Sequence, residues 1–581
     1  MKKIHRADSA PRASAARGNL TMPLLTCLLA LLVAPGAVRA SPGEDGGDLV
    51  LRHGHFYTVA DDRSDPAEGS LVVEDGRIAF LGPDAEATAR APEGARIVDL
   101  GGRTVTPGLI DAHSHLAGLG AALAQVDLVG TGSYAEVVEL VREAAAEAPE
   151  GTWIRGRGWD QNDWAETAFP THHALSEAVP DHPVWLTRID GHAALVNRRA
   201  MELLEIGPGT EDPPGGRFLR DAEGRPAGVL IDRAMEAVAG RIPDPGPEER
   251  RRRLRRAAEH AVALGLTTVT DMGVDQATID DYRALRDAGE LPLRAALFLT
   301  DDDPLLERWF ARGPEVGPEH RVLVRGVKMY ADGALGSRGA ALVEPYSDDP
   351  SNLGLLITGE ERIRDVAARA LEAGFQLGIH AIGDRGNLVV LDGLEAAFGG
   401  EPRPGARFRL EHAQIMRPQD VDRAARLGVV FSHQPTHATS DMPWAPDRVG
   451  QARLDGAYAW RRALQAGGRL ALGSDFPVES ADPRLGLYAA VTRQDLEGDP
   501  PGGWLPDQRL TRAEALRGFT LDAAWSLFIE PEVGSLETGK RADLVVFARD
   551  VMEVSAEEIP DVPVDYTVVD GRVAYERPGA P

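Results

Sequence analysis

The sequence predicts an α/β fold in which eight strand–helix units close into a TIM-like (β/α)8 barrel. Apolar runs typical of strands alternate with helical segments through the middle of the chain, which indicates a parallel sheet covered by helices. Several helical segments end in glycine, at Gly265, Gly374 and Gly428, which suits the left-handed residue after a helix. Eight units match the strand number of such a barrel. The predicted strands span residues 109–115, 267–271, 294–299, 322–329, 375–380, 407–412, 429–432 and 470–475.

The two ends of the chain are predicted to build a second domain together. Short strands punctuated by glycine lie between residues 48 and 105, and similar strands return between 542 and 569. We therefore expect one composite β-sandwich assembled from residues 41–107 and 535–581, with the barrel at 108–534 between them.

A long insertion separates the first two predicted barrel strands. Roughly 150 residues lie there, far more than a strand-to-strand crossover needs. Residues 153–242 are rich in Trp, Gly and Pro and contain a strand-like segment at 183–188. We expect an inserted lobe that covers the mouth of the barrel as a lid.

The first forty residues have the pattern of a secretory signal peptide. A basic leader precedes an apolar run at 24–33, and small residues that suit a cleavage site stand before Ser41. The run is too short to cross a bilayer, so we expect an exported protein, periplasmic or secreted, without stable membrane association after cleavage. An uncleaved anchor and a lipid attached at Cys27 are the alternatives.

Composition limits the partners and the chemistry. The net charge of −27 argues against binding to nucleic acid or to anionic membranes, and the basic run at 250–256 has the pattern of a solvated helix face. Cys27 is the only cysteine and lies in the leader. Disulfides and thiolate ligands are therefore excluded from the cleaved protein, and any metal must be held by nitrogen and oxygen.

Polar residues with metal-binding side chains stand at the ends of several predicted strands. His113 and His115 are two residues apart in the first strand, so both side chains face the same way. The carboxyl ends of barrel strands form the active face of such folds. A lone histidine there is usually structural, but the convergence of so many groups indicates a metal site. The candidate ligands are His113, His115, Lys328, His380, His412 and Asp475.

In their order and spacing, several sequence blocks resemble the amidohydrolase superfamily, in its amidohydrolase-3, YtcJ-like branch. The blocks span nearly the whole mature chain and are P-G-L-I-D-A-H-S-H at 107–115, G-W-D-Q-N-D-W at 158–164, D-G-H-A-A at 190–194, V-K-M-Y-A-D-G-A-L-G-S-R at 327–338, G-I-H-A-I-G-D at 378–384, L-E-H-A-Q at 410–414, F-S-H-Q-P at 431–435, L-G-S-D-F-P-V-E at 472–479 and G-S-L-E-T-G-K-R-A-D-L-V-V at 534–546.

This resemblance implies a metal-dependent hydrolase of C–N bonds of amide, N-acyl or N-formyl type, with one or two divalent ions, commonly Zn²⁺. By matching position, His113 and His115 hold the more buried ion, and His380 and His412 hold the second. Asp475 is the implied catalytic residue, which moves a proton from the attacking water to the leaving nitrogen.

Lys328 has two interpretations. In relatives with two ions, a lysine at this place is carboxylated, and the resulting N6-carboxylysine bridges the metals. An unmodified ammonium group would repel the ions, so near them the lysine must be neutral, carboxylated or turned away. The alternative is a Lys328 paired with Asp332 in a site for one metal.

Residues that can contact a small-molecule substrate lie in the insertion and in loops at the barrel mouth. For each of them, a supporting or packing role is the alternative. The candidates are Trp159, Asp160, Arg188 and His192 in the insertion, Asp332, Ser337 and Arg338 after the fourth strand, and His433 and His437 after the seventh.

Two other functions and one partner stay open at this stage. A one-metal, deaminase-like hydrolase acting on a ring C=N bond would leave Lys328 unmodified. A non-catalytic binding protein on the same barrel is a further alternative, although the complete set of histidines with Asp475 argues against it. The sequence is also compatible with a homodimer.

Overall fold

The computed structural model describes residues 48–60 and 66–581. The predicted signal peptide at 1–40 lies outside the described residues. Within the described ranges, no helix combines the length and the apolar character that crossing a membrane requires.

The predicted barrel is confirmed as eight parallel strands that neighbour one another in chain order. We number these barrel strands 1 to 8. They are Leu109–Ser114, Leu266–Val274, Arg294–Thr300, Val322–Tyr330, Gln376–Ala381, Arg409–His412, Val430–His433 and Leu470–Leu472. A short strand, Glu315–Val316, pairs antiparallel with barrel strand 4. Residues just past strand 8 close the circle on strand 1. The amide of Asp475 donates to the carbonyl of His113 at 2.7 Å, and the amide of His115 donates to that of Phe476 at 2.8 Å.

Helices cover the outside of the barrel because each has one apolar stripe. In Glu360–Ala373, Ile363, Val366 and Ala370 are buried at a spacing of three and four residues. The helix ends at Gly374, whose φ of 78° is the left-handed conformation predicted there. The helices of the barrel region are Leu116–Leu123, Pro247–Ala263, Gln276–Asp287, Asp303–Arg312, Glu360–Ala373, Asp384–Ala397, Pro418–Leu427, Pro435–Asp441, Ala445–Val449, Trp460–Gln465, Pro483–Thr492, Arg512–Gly518 and Leu521–Ser526, with 3-10 turns at Pro318–His320, Pro404–Ala406, Gln451–Gly456 and Pro506–Gln508.

The two ends of the chain share one branched sheet of eight strands. The strands are Leu49–Phe56, Ala67–Glu74, Arg77–Gly82, Arg96–Asp99 and Thr104–Pro107 from the first end, and Leu544–Phe547, Val564–Val569 and Arg572–Glu576 from the second, with the helix Asp84–Arg90 and the 3-10 turn Ala556–Asp561 beside them. Thr104–Pro107 pairs antiparallel with Leu544–Phe547. Apolar residues from both ends fill one cluster, so neither end completes this core alone.

A buried ion network ties the barrel to this sheet. Arg294, the first residue of barrel strand 3, is fully buried and pairs with Asp543 at 2.8 Å and with Asp570. Arg321 and Arg541 pair with Asp570 at 2.5 and 3.0 Å. Two carboxylates of the terminal sheet thus neutralise an arginine that burial alone would disfavour.

The insertion between barrel strands 1 and 2 forms a lobe with its own six-stranded sheet. The strands are Val126–Asp127, Ile154–Trp159, Val184–Arg188, Ala193–Val196, Gly216–Arg220 and Pro226–Asp232, and the helices are Tyr134–Glu147, His172–Ala178, Arg198–Leu203 and Arg233–Ala239, with a 3-10 turn at Gln161–Asp163. The sheet begins at Val126, ahead of the start expected at 153. Apolar clusters pack on the sheet, so the lobe has a core of its own.

Candidate metal centre

The barrel brings four imidazoles and one carboxylate of distant segments together. Donor atoms of His113, His412 and Asp475 all lie within 4.8 Å of one another. The His412 ring centroid lies 4.6 Å from that of His113 and 4.6 Å from that of His380. The ring of His115 lies 5.7 Å from that of His113. Barrel strands 1, 5, 6 and the residues after strand 8 therefore supply one compact cluster.

Each imidazole of strand 1 has one nitrogen fixed by the protein. His113 is fully buried, and its Nδ1–H donates to Glu411 Oε2 at 2.5 Å. His115 donates from Nδ1–H to the carbonyl of Met272 at 3.0 Å. In the neutral rings these hydrogen bonds set the tautomer, so Nε2 is the nitrogen that can bind a metal ion. In this structure Lys328 Nζ lies 3.0 Å from Nε2 of His113, and Asp475 Oδ1 lies 3.1 Å from Nε2 of His115.

The other two imidazoles are fixed in complementary ways. His412 Nδ1–H donates to Gln434 Oε1 at 2.8 Å, which leaves its Nε2 free. His380 directs Nε2 towards the carbonyl of Gly333 at 3.5 Å, so its Nδ1 is the nitrogen without a hydrogen bond to the described residues. In each of the four imidazoles, the supporting protein therefore holds one nitrogen and leaves the other for a metal ion.

Burial keeps most of these rings neutral. Burial, together with the charge of Lys328, lowers the pKa of His113 to about 4 and that of His380 to about 3. Burial also brings the pKa of His412 well below its usual value. For His115, burial lowers the pKa, but the hydrogen bond and charge of Asp475 outweigh it, so the net shift is upward. Neutral imidazole is the form that binds metals.

Asp475 stands between the strand 1 histidines and a further histidine. Its Oδ1 lies 3.1 Å from His115 Nε2 and 3.5 Å from His113 Nε2, and its Oδ2 lies 3.7 Å from His437 Nε2. Burial raises the pKa of Asp475, but the hydrogen bond from His115 and the nearby His113 outweigh burial and hold it below the usual range. Asp475 is therefore an ionised carboxylate beside the imidazoles.

Lys328 points into the same cluster. It is 1% exposed, and its Nζ lies 3.0 Å from His113 Nε2 and 4.9 Å from the centre of the Tyr330 ring. Burial lowers the pKa of Lys328 to about 8, with Glu411 opposing the shift. At neutral pH, Lys328 therefore has a larger neutral fraction than an exposed lysine.

The alternative pairing of Lys328 with Asp332 is not formed. The oxygens of Asp332 accept the amides of Ala341, Ile382 and Gly383 at 2.8 to 2.9 Å. Asp332 is fully buried, and its contacts hold the loop after strand 4 on the start of the helix after strand 5. Three backbone amides thus satisfy this carboxylate in place of the alternative ion pair with Lys328.

Two buried carboxylates behind the cluster escaped the sequence-based prediction. Glu411 pairs with Arg409 at 2.7 Å and accepts from His113, and although burial opposes ionisation, these partners lower its pKa. Asp111 accepts from the Ser474 hydroxyl at 2.6 Å, and burial raises its pKa to about 7. Alternation in strand 1 places Asp111 on the face of His113, and this spacing was the available signal.

The predicted contact residues of the lobe make their hydrogen bonds and ring contacts within the lobe. Trp159 is fully buried and donates from its indole to the carbonyl of Leu186. Arg188 pairs with Asp160 and with Asp190. His192 is exposed and pairs with Asp232 at 2.8 Å. The buried indole of Trp159 is therefore part of the packing of the lobe in this structure.

The predicted contact residues of the barrel loops have separate environments. Ser337 donates to the carbonyl of Ala334, and Arg338 pairs with Asp348 at 2.9 Å. His433 is buried, and its Nδ1–H donates to the carbonyl of His412 at 2.9 Å.

Tyr330 is a mouth residue that the sequence did not single out. Its ring centroid lies 5.5 Å from that of His380, and the ring is 41% exposed. An aromatic face beside the cluster is therefore open to solvent. The only sequence signal was its position two residues after Lys328, on the same side of the strand.

The chemistry of the donor set fits a divalent metal ion. Zn²⁺ in proteins binds imidazole nitrogens and carboxylate oxygens. The cluster offers such donors in the Nε2 atoms of His113, His115 and His412 and in the ionised carboxylate of Asp475. The hydrogen bonds from Nδ1 to a carboxylate, a carbonyl and an amide oxygen are the partners that orient histidine ligands of metals.

Residues 96–575 match a family model described as the amidohydrolase family. The chain is 34% identical to "Protein LONG AFTER FAR-RED 3" of Arabidopsis thaliana over 91% of each chain. It is 31% identical to a putative amidohydrolase, YtcJ, of Bacillus subtilis, over 90% of this chain and 99% of the relative. It is also 31% identical to an N-substituted formamide deformylase of Arthrobacter pascens, over 92% of this chain and 99% of the relative.

A solved structure has the same fold. It is an uncharacterized metal-dependent hydrolase from Pyrococcus furiosus, with a TM-score of 0.72 and 31% identity. The similarity covers 87% of this chain and 100% of that one.

Proposed function

Because this chain belongs to the amidohydrolase family and is a metal-dependent hydrolase of C–N bonds, we propose that it removes a formyl or other short acyl group from a substituted amine. We further propose that it works with zinc and acts outside the cytoplasm, as its leader sequence suggests. The amine and a carboxylic acid would be the products.

One observation carries this proposal. Four imidazoles, each with one nitrogen left for a metal ion, lie in one cluster with the ionised Asp475, and this donor set is what hydrolysis by a divalent ion requires. The choice of an N-formyl or N-acyl bond rests on the relative named N-substituted formamide deformylase, which aligns over nearly its full length. Matches to adenine deaminases cover only 14% of this chain, so we do not extend the proposal to ring C=N bonds.

The residues that would hold the metal divide into two groups. By the family resemblance, His113 and His115 with Asp475 would hold one ion, and His380 and His412 would hold the other. When bound, a divalent ion supplies Lewis acidity, which polarises a carbonyl oxygen and lowers the pKa of water from 15.7 to about 7.

Asp475 is placed to move the proton in this reaction. As an ionised carboxylate it accepts a proton from the attacking water and delivers it to the leaving nitrogen. The water oxygen joins the carbonyl carbon, the C–N bond breaks, and the nitrogen leaves as a neutral amine. Ser474 is not a nucleophile candidate, because its hydroxyl is held by Asp111 at 2.6 Å.

Lys328 is proposed as the group that is carboxylated when two ions bind. Its neutral amine can add to CO₂ with loss of one proton, which turns a cation among the ligands into an anionic oxygen donor. The burial of Lys328 beside His113 and its lowered pKa favour that reaction over an ammonium at this place.

Purified protein, loaded with zinc, tests the proposal on a panel of N-formyl and N-acetyl amines. We expect release of amine and formate or acetate, and loss of turnover after chelation with recovery on adding zinc back. Turnover that survives complete chelation, or a panel on which only ring deamination is found, would refute the proposed function. His182→Gln, which changes a buried histidine of the lobe, serves as the matched control and should keep the wild-type rate.

A further inference from the structure

His437 has an unused polar atom beside the proposed proton-transfer group. It lies in the helix Pro435–Asp441, after barrel strand 7, and is 8% exposed. Its Nε2 is buried and makes no hydrogen bond with any described residue, and Asp475 Oδ2 lies 3.7 Å away. Buried polar atoms in proteins usually have a hydrogen-bond partner, so this nitrogen needs an explanation.

The hydrogen bond from Gln414 on the other side of the His437 ring indicates which ring nitrogen carries the hydrogen. Gln414 places its side-chain nitrogen 3.2 Å from His437 Nδ1. An amide nitrogen can only donate, so Nδ1 must accept, and a neutral imidazole then carries its hydrogen on Nε2. His437 therefore directs an N–H, not a lone pair, at the carboxylate of Asp475.

Contacts are present at both the backbone and the carboxylate of Asp475. Its amide is bound to the carbonyl of His113 at 2.7 Å, and its Oδ1 faces the imidazole of His115 at 3.1 Å. Its Oδ2 lies 3.7 Å from His437 Nε2. A donor on that side would fix the plane of the carboxylate and keep Oδ1 directed at strand 1.

We propose that His437 is a positioning residue that holds Asp475 through an Nε2–H···Oδ2 hydrogen bond, with Gln414 fixing the tautomer. This inference rests on the proposed function of Asp475. The separation of 3.7 Å shortens to about 2.9 Å when the bond forms, which requires only a small movement of either side chain. Three adjacent barrel units, the sixth, seventh and eighth, thus contribute one connected chain of groups.

The position of the ring supports orientation over direct metal binding. The ring of His437 is stacked on that of His412 at 5.7 Å and 25°. His412 donates to Gln434 at 2.8 Å, so the ring on which His437 stacks has a fixed partner of its own. Support of this kind is what a proton-transfer group needs to keep its geometry.

Two substitutions at one position test the role. His437→Leu removes the donor, whereas His437→Gln keeps an amide N–H near the place of Nε2. On an N-formyl amine that the wild type hydrolyses, we expect kcat to fall at least tenfold in His437→Leu, with KM within twofold and zinc content unchanged. His437→Gln should recover most of the loss, and the control His182→Gln should behave as wild type. Equal losses in the Leu and Gln variants, or a change confined to KM, would overturn the proposal.

A crystal structure of the zinc-loaded wild type gives a readout that does not depend on turnover. We expect Nε2 of His437 at about 2.7–3.1 Å from Asp475 Oδ2. A bond from Nε2 to zinc, or a ring rotated away from Asp475, would overturn the inference. If the distance is as expected but no C–N bond in the panel is cleaved, the proposed function fails while the positioning contact stands.

Discussion

Ser474 and Asp111 join the last barrel strand to the first. The hydroxyl of Ser474 donates to Asp111 Oδ2 at 2.6 Å, and the Ser474 amide donates to Oδ1 of the same carboxylate at 3.1 Å. Asp111 also accepts the amide of His113 at 3.0 Å. One buried carboxylate thus fixes the seam at which His113 and Asp475 meet, residues 362 positions apart in the sequence.

Asp475→Asn should abolish most of the turnover while the metal stays bound. The amide keeps the shape and an oxygen donor but cannot accept the proton, and general acid/base groups typically contribute about 10²–10⁴-fold. We expect kcat to fall by that amount, measured on an N-formyl amine with zinc content determined on the same sample. Unchanged kcat at full zinc content would contradict the role assigned to Asp475.

Glu411→Gln should weaken zinc binding without removing a ligand. The carboxylate fixes His113 through Nδ1 and pairs with Arg409, and loss of such a supporting partner costs about 10–100-fold in metal affinity. Titration with a zinc-competing chelator measures the change. Glu139→Gln, on an exposed helix face, is the control and should titrate as wild type. Equal affinity in all three proteins would argue that Glu411 does not support a ligand.

Reactivation of metal-free protein should depend on CO₂ and on pH. Only neutral Lys328 reacts with CO₂, and with a pKa of about 8 the neutral fraction rises about fivefold between pH 7 and pH 8. At constant dissolved CO₂, we expect the rate of recovery with zinc to rise over that interval and to be slow when CO₂ is removed. Lys328→Met should show neither dependence. Recovery in wild type that ignores both CO₂ and pH would rule out the carboxylated lysine.

Arg294→Met should destabilise the protein strongly. The change leaves Asp543 and Asp570 buried next to one another without their shared cation, and breaking a buried pair in this way costs about 3–5 kcal/mol. Urea unfolding followed by tryptophan fluorescence measures the difference in free energy of unfolding. Arg364→Met, at an exposed site, should change it by less than about 0.5 kcal/mol.

The pH dependence of that difference has a definite sign. Burial raises the pKa of Asp570, but Arg294 and Arg321 outweigh it, so the folded-state pKa lies below the usual value. A lowered pKa contributes stability that is complete above the unfolded value of about 3.9 and is lost as pH falls through the folded value. The difference in free energy of unfolding between wild type and Arg294→Met should therefore be largest at pH 7 and decrease below about pH 4. A difference that increases on acidification would contradict the assignment.

The barrel and part of the centre could be predicted because they follow from local patterns. Strand–helix alternation gave the eight units, and alternation within strand 1 put His113 and His115 on one face. Strand alternation alone would turn His412 away from Glu411, its neighbour. The backbone of His412 instead adopts a φ of 71°, so both side chains approach His113. No sequence pattern announces such a turn.

Packing and backbone donors decided the features that sequence patterns missed. Trp159 is of a residue type that often contacts substrates, yet it is packed in the apolar core of the lobe. Asp332 follows the end of a strand, as the candidate ligands do, yet its oxygens accept hydrogen bonds from three backbone amides. These outcomes depend on long-range contacts, which residue type and spacing do not specify.

Anomalous diffraction at the zinc edge, from crystals of the zinc-loaded protein, tests the central claim most directly. We expect a zinc peak at about 2.0–2.1 Å from Nε2 of His113 and of His115, beside Asp475. Where a second ion binds, we expect another peak at His380 and His412. Fully loaded crystals with no zinc at these imidazoles, or with zinc bound only elsewhere, would contradict it.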